Sequence, residues 1–319
     1  MKILVTGAAG FIGFNFISNI IGNKKFKIVG IDNLNNYYDV SLKRKRLRIL
    51  KKFKNFKFKK LDINNTKLIE KVFKKYKFDF VLNLAAQAGV RYSIEQPRKY
   101  IDSNILGFFN IIENSRKFKV KRLFYASSSS VYGENKNFPL KEKENINPKN
   151  IYGLSKKINE EISNIYNNYY NLRVTGLRFF TVYGEWGRPD MMMLKFINSH
   201  FNKKIFKLYN FGNHVRDFTY VGDVAKILKL LLENHKKLPN NNILNVCSNK
   251  PIKLDKIISF MQKKGIKPSI KKIALQQADI LKTHGDNSEL LKYTNFKKFS
   301  NWKISLNKTI EWYKNFMIK

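Results

Sequence analysis

The sequence predicts an α/β protein built on a doubly wound parallel sheet. Three observations carry that expectation. Short apolar runs of strand type alternate with segments that are apolar at helical spacing, from the start of the chain to about residue 180. The first run is followed at once by Gly7-Ala8-Ala9-Gly10-Phe11-Ile12-Gly13. The second run ends on an acid, Asp32.

In order, the strand-type runs fall at 3–6, 26–31, 56–61, 80–84, 122–126 and 173–179. Helical patterns fall near 11–21, 42–52, 66–75, 101–118 and 152–169. No repeat or low-complexity linker interrupts them. The pattern changes after about Phe180, where turn-rich stretches at 184–190 and 239–242 separate helical pieces near 192–201, 221–234 and 254–264. A short strand at 243–246 precedes Pro251. We expect residues 1–180 to form the sheet domain and 181–319 a smaller mixed domain over the carboxyl edge of the sheet, with some later strands returning to the sheet.

Strand, glycine turn, helix, strand and acid, in that order, form the context of a dinucleotide-binding loop. The glycines let backbone amides approach a pyrophosphate, and the helix N-terminus adds partial positive charge. Asp32 lies about twenty residues past the loop, where a carboxylate can bind both ribose hydroxyls of NAD and repel the extra phosphate of NADP. The alternative is that Asp32 only opens a turn with Asn33.

Tyr152-Gly153-Leu154-Ser155-Lys156 places a phenol and an ammonium four residues apart on one helix face. A nearby cation favours phenolate, so Lys156 is expected to draw the Tyr152 pKa down from about 10. Such a pair can take a proton from an alcohol. Alone, the same spacing is common on solvated helix faces. Upstream, Tyr125-Ala126-Ser127-Ser128-Ser129-Ser130-Val131-Tyr132-Gly133 ends an apolar segment. Four serines there suit a turn, but strand carboxyl ends also point into the binding crevice of an α/β sheet, next to Tyr152.

Taken together, the Gly7–Gly13 loop, the serine segment and the Tyr152/Lys156 pair resemble the extended short-chain dehydrogenases/reductases, the group of nucleotide-sugar epimerases and dehydratases. The resemblance covers nearly the whole chain and implies a Rossmann-type fold. Within the group, four segments resemble the epimerases of UDP-glucuronate. They are Asp32-Asn33-Leu34-Asn35-Asn36-Tyr37-Tyr38-Asp39, residues 85–93, residues 126–133, and the long stretch 177–191 containing Glu185-Trp186-Gly187-Arg188-Pro189-Asp190. Arg216-Asp217-Phe218-Thr219-Tyr220-Val221 matches the wider group. Departures are Glu185 in place of proline, Asn83 in place of histidine, and Ala278 in place of glycine before Asp279.

The resemblance implies roles. Gly7, Gly10, Phe11, Ile12, Gly13, Asp32 and Asn33 hold NAD, with Asp62 and Ile63 at the adenine. Ala85 and Ala86 let the backbone close on the cofactor, or merely pack as small residues. Asn104 resembles the group's structural asparagine near Lys156, and an exposed helix asparagine is the alternative. Lys156 also reaches the nicotinamide ribose. Tyr152 takes a proton from the sugar 4-hydroxyl while the hydrogen on carbon 4 passes to tightly bound, recycled NAD. Ser128 holds the same oxygen, with Ser129 beside it. After the 4-keto sugar rotates, return of the hydrogen to its other face inverts the centre.

A uronate adds a hazard, because a ketone at carbon 4 is β to the carboxylate and invites loss of carbon dioxide. Arg188 is the expected carboxylate clamp, since guanidinium binds carboxylate in a fixed plane, and Thr181 can add a hydrogen bond. A turn-stabilising surface arginine is the alternative for Arg188. Arg216 matches a diphosphate-binding arginine, or else pairs with Asp217. Arg91 meets the diphosphate or the carboxylate, and Gln276 and Asp279 resemble a uridine-side loop.

The expected function is NAD-dependent 4-epimerisation of a UDP-sugar, UDP-glucuronate to UDP-galacturonate. Alternatives are a UDP-glucose or UDP-N-acetylglucosamine 4-epimerase, a decarboxylase, or a dehydratase. The dehydratase branch resembles Thr-Asp-Glu where this chain has Ser128-Ser129-Ser130. A homodimer through the helices bearing Asn104 and Tyr152 is also implied.

Bulk composition limits other readings. The 319 residues can bury a substantial core, and no apolar run approaches the ~20 residues that span a bilayer. Cys247 is the only cysteine, and His200, His214, His235 and His284 show no metal spacing. Met1 leads straight into the first strand, leaving no room for a signal peptide, so a cytoplasmic protein is expected. The net charge is +39, from 62 Lys and Arg against 23 Asp and Glu. The densest stretch is Lys43-Arg44-Lys45-Arg46-Leu47-Arg48, yet the excess is spread along the chain beside abundant Asn, Ile and Phe. We read it as a compositional bias that steers anionic ligands rather than as a nucleic-acid site. An NAD-binding scaffold or nucleic-acid-binding protein is the non-enzymatic alternative.

Overall fold

The computed structural model describes residues 1–275 and 280–318. Its strands are β1 (Lys2–Thr6), β2 (Lys27–Asp32), β3 (Phe56–Lys60), β4 (Phe80–Asn83), β5 (Arg122–Ser128), β6 (Val174–Phe179), β7 (Thr181–Tyr183), β8 (Phe206–Tyr209), β9 (Val215–Tyr220), β10 (Asn241–Val246), β11 (Pro251–Lys253) and β12 (Ile270–Ile273). Its helices are α1 (Phe11–Ile20), α2 (Val40–Leu50), α3 (Thr66–Tyr76), α4 (Tyr92–Glu95), α5 (Pro97–Tyr100), α6 (Gly107–Lys117), α7 (Ile151–Tyr170), α8 (Met192–Phe201), α9 (Val221–Glu233), α10 (Leu254–Lys263), α11 (Ser288–Thr294) and α12 (Trp302–Met317).

Seven strands form one parallel sheet in the order β10-β6-β5-β4-β1-β2-β3. Strand order reverses between β1 and β4, so the ligand crevice of a doubly wound sheet lies at the carboxyl ends of these two strands. Parallel strands covered on both faces need continuous apolar runs rather than alternation. β4 and β6 are accordingly buried at every position. One face packs Phe11, Phe14 and Ile17 of α1 with Val224, Ile227 and Leu231 of α9. The other packs Ile69 and Phe73 of α3, Phe108 and Ile112 of α6, and Tyr166 of α7.

A second core joins α8, α10 and α12 over β8 and β9, around Phe196, Ile257, Met261, Leu306 and Trp312. Two small sheets accompany it, β11-β9-β7 and β12-β8. These short strands carry no periodic signal long enough to be expected from sequence; the terminal helix α12 does carry one, in Trp302, Leu306, Ile310, Tyr313 and Met317, which sequence reading missed.

The helix expected over 101–118 is α-helical only from Gly107; Ile101–Leu106 is π-helical. The wider turn shifts the helical register locally. It carries Asn104, which is buried.

Candidate active site

The glycine loop sits at the β1–β4 switch point. Gly7 has φ +67, and a Cβ there would lie 2.9 Å from the Ala85 amide nitrogen. A Cβ on Gly13 would lie 2.2 Å from the Gly7 carbonyl. Only glycine allows loop, helix and β4 to approach this closely. α1 begins at Gly10 with no side-chain cap and no acid in its first turn, so its N-terminal amides are left for a ligand.

One cavity of about 370 Å³ joins this loop to the remaining chemistry. Its walls include Gly7, Gly10, Phe11, Ile12, Gly13, Asp32, Asn33, Asp62, Ile63, Ala85, Ala86, Ser128, Ser129, Tyr152, Lys156, Thr181 and Arg188. Residues from seven separate segments thus meet on one surface. The set fits a dinucleotide: a cradle that a Cβ would fill, uncapped amides, and a buried carboxylate at the end of β2.

Asp32 both braces the loop and opens a turn. Its Oδ2 accepts from the Ala9 amide at 3.1 Å and its Oδ1 from the Leu34 amide at 2.8 Å. Burial pushes its carboxyl up, while the Lys43 ammonium and these amides pull against the shift. Asp62 accepts from Asn33 Nδ2 at 2.8 Å, joining two expected cofactor residues.

α7 starts just before Tyr152, with the Asn150 side chain accepting from the Gly153 amide at 2.9 Å. At the end of β5, Ser128 caps a turn through the Ser130 amide at 3.1 Å, while Ser127 turns away to donate to Glu160 at 2.5 Å. Lys156 is buried and donates to the Ala126 carbonyl at 2.9 Å. Its nitrogen lies 6.0 Å from the Tyr152 ring centre.

The expected electrostatics of this pair are corrected by the structure. Burial pushes the Tyr152 phenol up, opposed by the Ser128 hydroxyl and the Arg188 charge. Burial also pushes Lys156 down to about 8, with Glu160 partly restoring it. In the protein alone, desolvation therefore sets both directions, and the i,i+4 attraction assumed from sequence is not among the forces acting on either group.

Asn104 is neither exposed nor on the cavity wall. Its side chain accepts from the Gln87 amide at 2.8 Å and donates to the Gln87 carbonyl and Ser155 Oγ, both at 3.0 Å. It ties the segment after β4 to the helix turn carrying Tyr152.

Arg188 lies on the cavity wall but is already engaged. Nε and Nη2 donate to the two Asp190 oxygens at 3.0 and 2.7 Å, and Tyr37 Oη donates to Asp190 at 3.1 Å. Burial opposes ionisation of Asp190, yet the guanidinium holds its carboxyl below the usual range. Arg91 and Arg216 are outside this cavity wall. The Arg91 guanidinium lies 3.7 Å over the Tyr209 ring. Arg216 does not pair with Asp217; it donates to the carbonyls of Val215 and Leu281, at 3.0 and 2.9 Å, and of Ile280. Asp217 instead accepts from Ser248 and Gly285. Gln276 and Asp279 lie outside the described residues.

Sequence reading missed Lys43, which the charge run disguised. It is buried, lines the cavity, and donates to the carbonyl and side-chain oxygens of Asn35 at 2.8 Å. Its spacing beside Leu42, Arg46, Leu47 and Leu50, all buried on one face of α2, is the available signal. Tyr37, Gln87 and Met191 also line the cavity without having been expected there.

Residues 3–247 match the model of the NAD dependent epimerase/dehydratase family, and the chain belongs to that family. It is 41% identical to Protein CapI of Staphylococcus aureus, over 98% of both chains. It is 36% identical to UDP-glucuronate 4-epimerase 4 of Arabidopsis thaliana, over 98% of this chain and 75% of that one. Its fold matches that of UDP-glucuronic acid 4-epimerase from Bacillus cereus, solved with UDP-glucuronic acid and NAD. The TM-score is 0.92, with 28% identity over 99% of each chain.

Proposed function

We propose that the protein is an NAD-dependent isomerase that interconverts UDP-glucuronate and UDP-galacturonate by inversion at carbon 4. The observation that carries this reading is the single cavity uniting the dinucleotide cradle, the Ser128/Tyr152/Lys156 set and the Thr181/Arg188 wall. Relatives named as UDP-glucuronate 4-epimerases support the substrate.

Bound NAD supplies a reversible acceptor for the hydrogen on carbon 4 and a positive ring charge that favours phenolate. Ser128 holds the sugar 4-oxygen. Tyr152 accepts the proton of that hydroxyl and gives it back when the inverted alcohol forms. Lys156, anchored on Ala126, holds the ribose side and keeps positive charge near the phenol. Asp32 and Asp62 hold the adenosine half. Arg188 and Thr181 grip the uronate carboxylate, holding its bond to the ring out of line with the carbon 4 ketone, so that carbon dioxide is retained. Arg216 serves the diphosphate, Arg91 the diphosphate or the carboxylate, and Gln276 and Asp279 the uridine side of the same reading, and residues 181–319 supply most of the sugar-nucleotide contacts.

Two copies are expected to associate through α6 and α7 and the π-helical turn before α6. Leu106, Phe109, Ile165 and Tyr169 expose large apolar side chains there, Tyr169 to 79%. Sedimentation at assay concentration showing only monomer would reject this. A cytoplasmic location belongs to the same reading and is checked by cell fractionation. Among the described residues, no helix is long and apolar enough to cross a membrane.

A panel of UDP-glucuronate, UDP-glucose and UDP-N-acetylglucosamine, with products identified by NMR, tests the function. UDP-galacturonate is expected as the main product of the first. A UDP-pentose would identify a decarboxylase, and turnover of neutral sugars alone would remove the uronate from the account.

A further inference from the structure

Arg46 is fully buried, has no carboxylate within hydrogen-bonding distance among the described residues, and is not among the cavity-lining residues. Its Nη1 donates to the Ala9 carbonyl and to Tyr38 Oη, each at 2.7 Å. Its Nη2 donates to the carbonyls of Trp186 and Gly187. Ala9 belongs to the glycine loop, and its amide is held by Asp32. Gly187 immediately precedes Arg188. One guanidinium therefore grips the cofactor cradle with one arm and the carboxylate-facing segment with the other.

A second observation concerns the backbone of the far side. Trp186 has φ +59, a left-handed conformation that is unfavourable for a bulky aromatic residue. Its carbonyl is held by the Arg46 fork, and its ring packs on Phe14 of α1 at 5.2 Å and on Trp312 and Phe316 of α12 at 5.3 and 5.6 Å. Loss of the fork leaves two backbone carbonyls without that partner and gives the strained residue a reason to relax.

We propose that Arg46 is a positioning residue that couples the glycine loop to segment 186–190 and so fixes the angle at which Arg188 holds the substrate carboxylate. This rests on the uronate reading above. When the angle drifts at the 4-keto stage, the bond between carbon 5 and the carboxylate breaks and carbon dioxide leaves. The bonding electrons become the double bond of a 4,5-enolate, which takes a proton at carbon 5. Return of the hydrogen at carbon 4 then gives a UDP-pentose with no net redox change.

The test uses the full chain as wild type, Arg46→Lys and Arg46→Met. A lysine keeps the charge but cannot span both groups of carbonyls. The first readout is amide exchange in residues 184–191 with and without saturating NAD. Wild type is expected to slow about tenfold on NAD addition, and both variants by less than about threefold. The second is the UDP-pentose fraction formed from UDP-glucuronate, expected to rise at least about fivefold in both variants while UDP-glucose turnover falls less. Full restoration of both readouts by lysine would overturn the proposal, as would wild-type protection in either variant. If methionine prevents folding, the lysine variant decides alone. If wild type does not act on the uronate, the functional reading fails, and the exchange readout still decides whether Arg46 couples the two segments.

Discussion

Asp190 occupies the Nε/Nη2 edge of the Arg188 guanidinium, at 3.0 and 2.7 Å, and leaves Nη1 as the nitrogen without a described hydrogen bond. The acid thus orients the fork rather than merely neutralising it. Tyr37 holds Asp190 in turn, so three side chains set one direction.

Asp190→Asn keeps the shape but removes the charge-assisted grip. We expect the KM for UDP-glucuronate to rise roughly 3- to 10-fold, with a smaller change for UDP-glucose. Steady-state kinetics on both substrates check this. Equal losses on the two sugars would show a general structural defect.

Lys156 provides a pH signature in the cofactor-free protein. Burial holds its folded pKa at about 8, below the unfolded value. Between about pH 8 and 10.5 the unfolded chain then binds more protons, so this group's contribution to stability rises with pH. Relative to Lys156→Met, wild type should gain about 1–3 kcal/mol across that window. Denaturant midpoints for the pair, measured from pH 7 to 10.5, read the difference directly; a constant gap would contradict the burial argument.

Beneath Lys156, Glu160 and Arg178 form a buried ion pair at 2.8 Å, with Ser127 adding a bond to the same acid. Glu160→Gln leaves an uncompensated guanidinium and should cost about 3–5 kcal/mol of stability. It should also lower the Lys156 pKa further, since Glu160 is the charge that raises it. Chemical denaturation and a pH titration of the variant measure both effects.

Asn104→Ala removes three hydrogen bonds at a buried site and should destabilise the protein by roughly 2–4 kcal/mol. NAD affinity should also fall, because Gln87, on the cavity wall, loses its support. Denaturation and NAD titration test the two parts separately.

The sheet was legible because each strand–helix unit carries its own period, and the glycine loop because close approach at Gly7 and Gly13 admits no other residue. The cavity set was legible where a motif places residues at strand ends, as with Ser128 and Asp32. Lys43 and Arg46 were not, because a charge run reads as solvated until the helix face is known. The balance at Tyr152 was also hidden. Spacing shows that Lys156 is near, whereas burial, which no spacing reveals, decides the direction of the shift. The Asp190 partner of Arg188 was within reach, two residues along the chain, but a turn must fold before it becomes a fork.

The central claim is that the hydrogen on carbon 4 leaves and returns within one active site. UDP-glucuronate carrying deuterium at carbon 4 tests it most directly. The account predicts UDP-galacturonate with the deuterium retained at carbon 4. Deuterium lost to water, or inversion at carbon 4 accompanied by solvent hydrogen at that carbon, would contradict it.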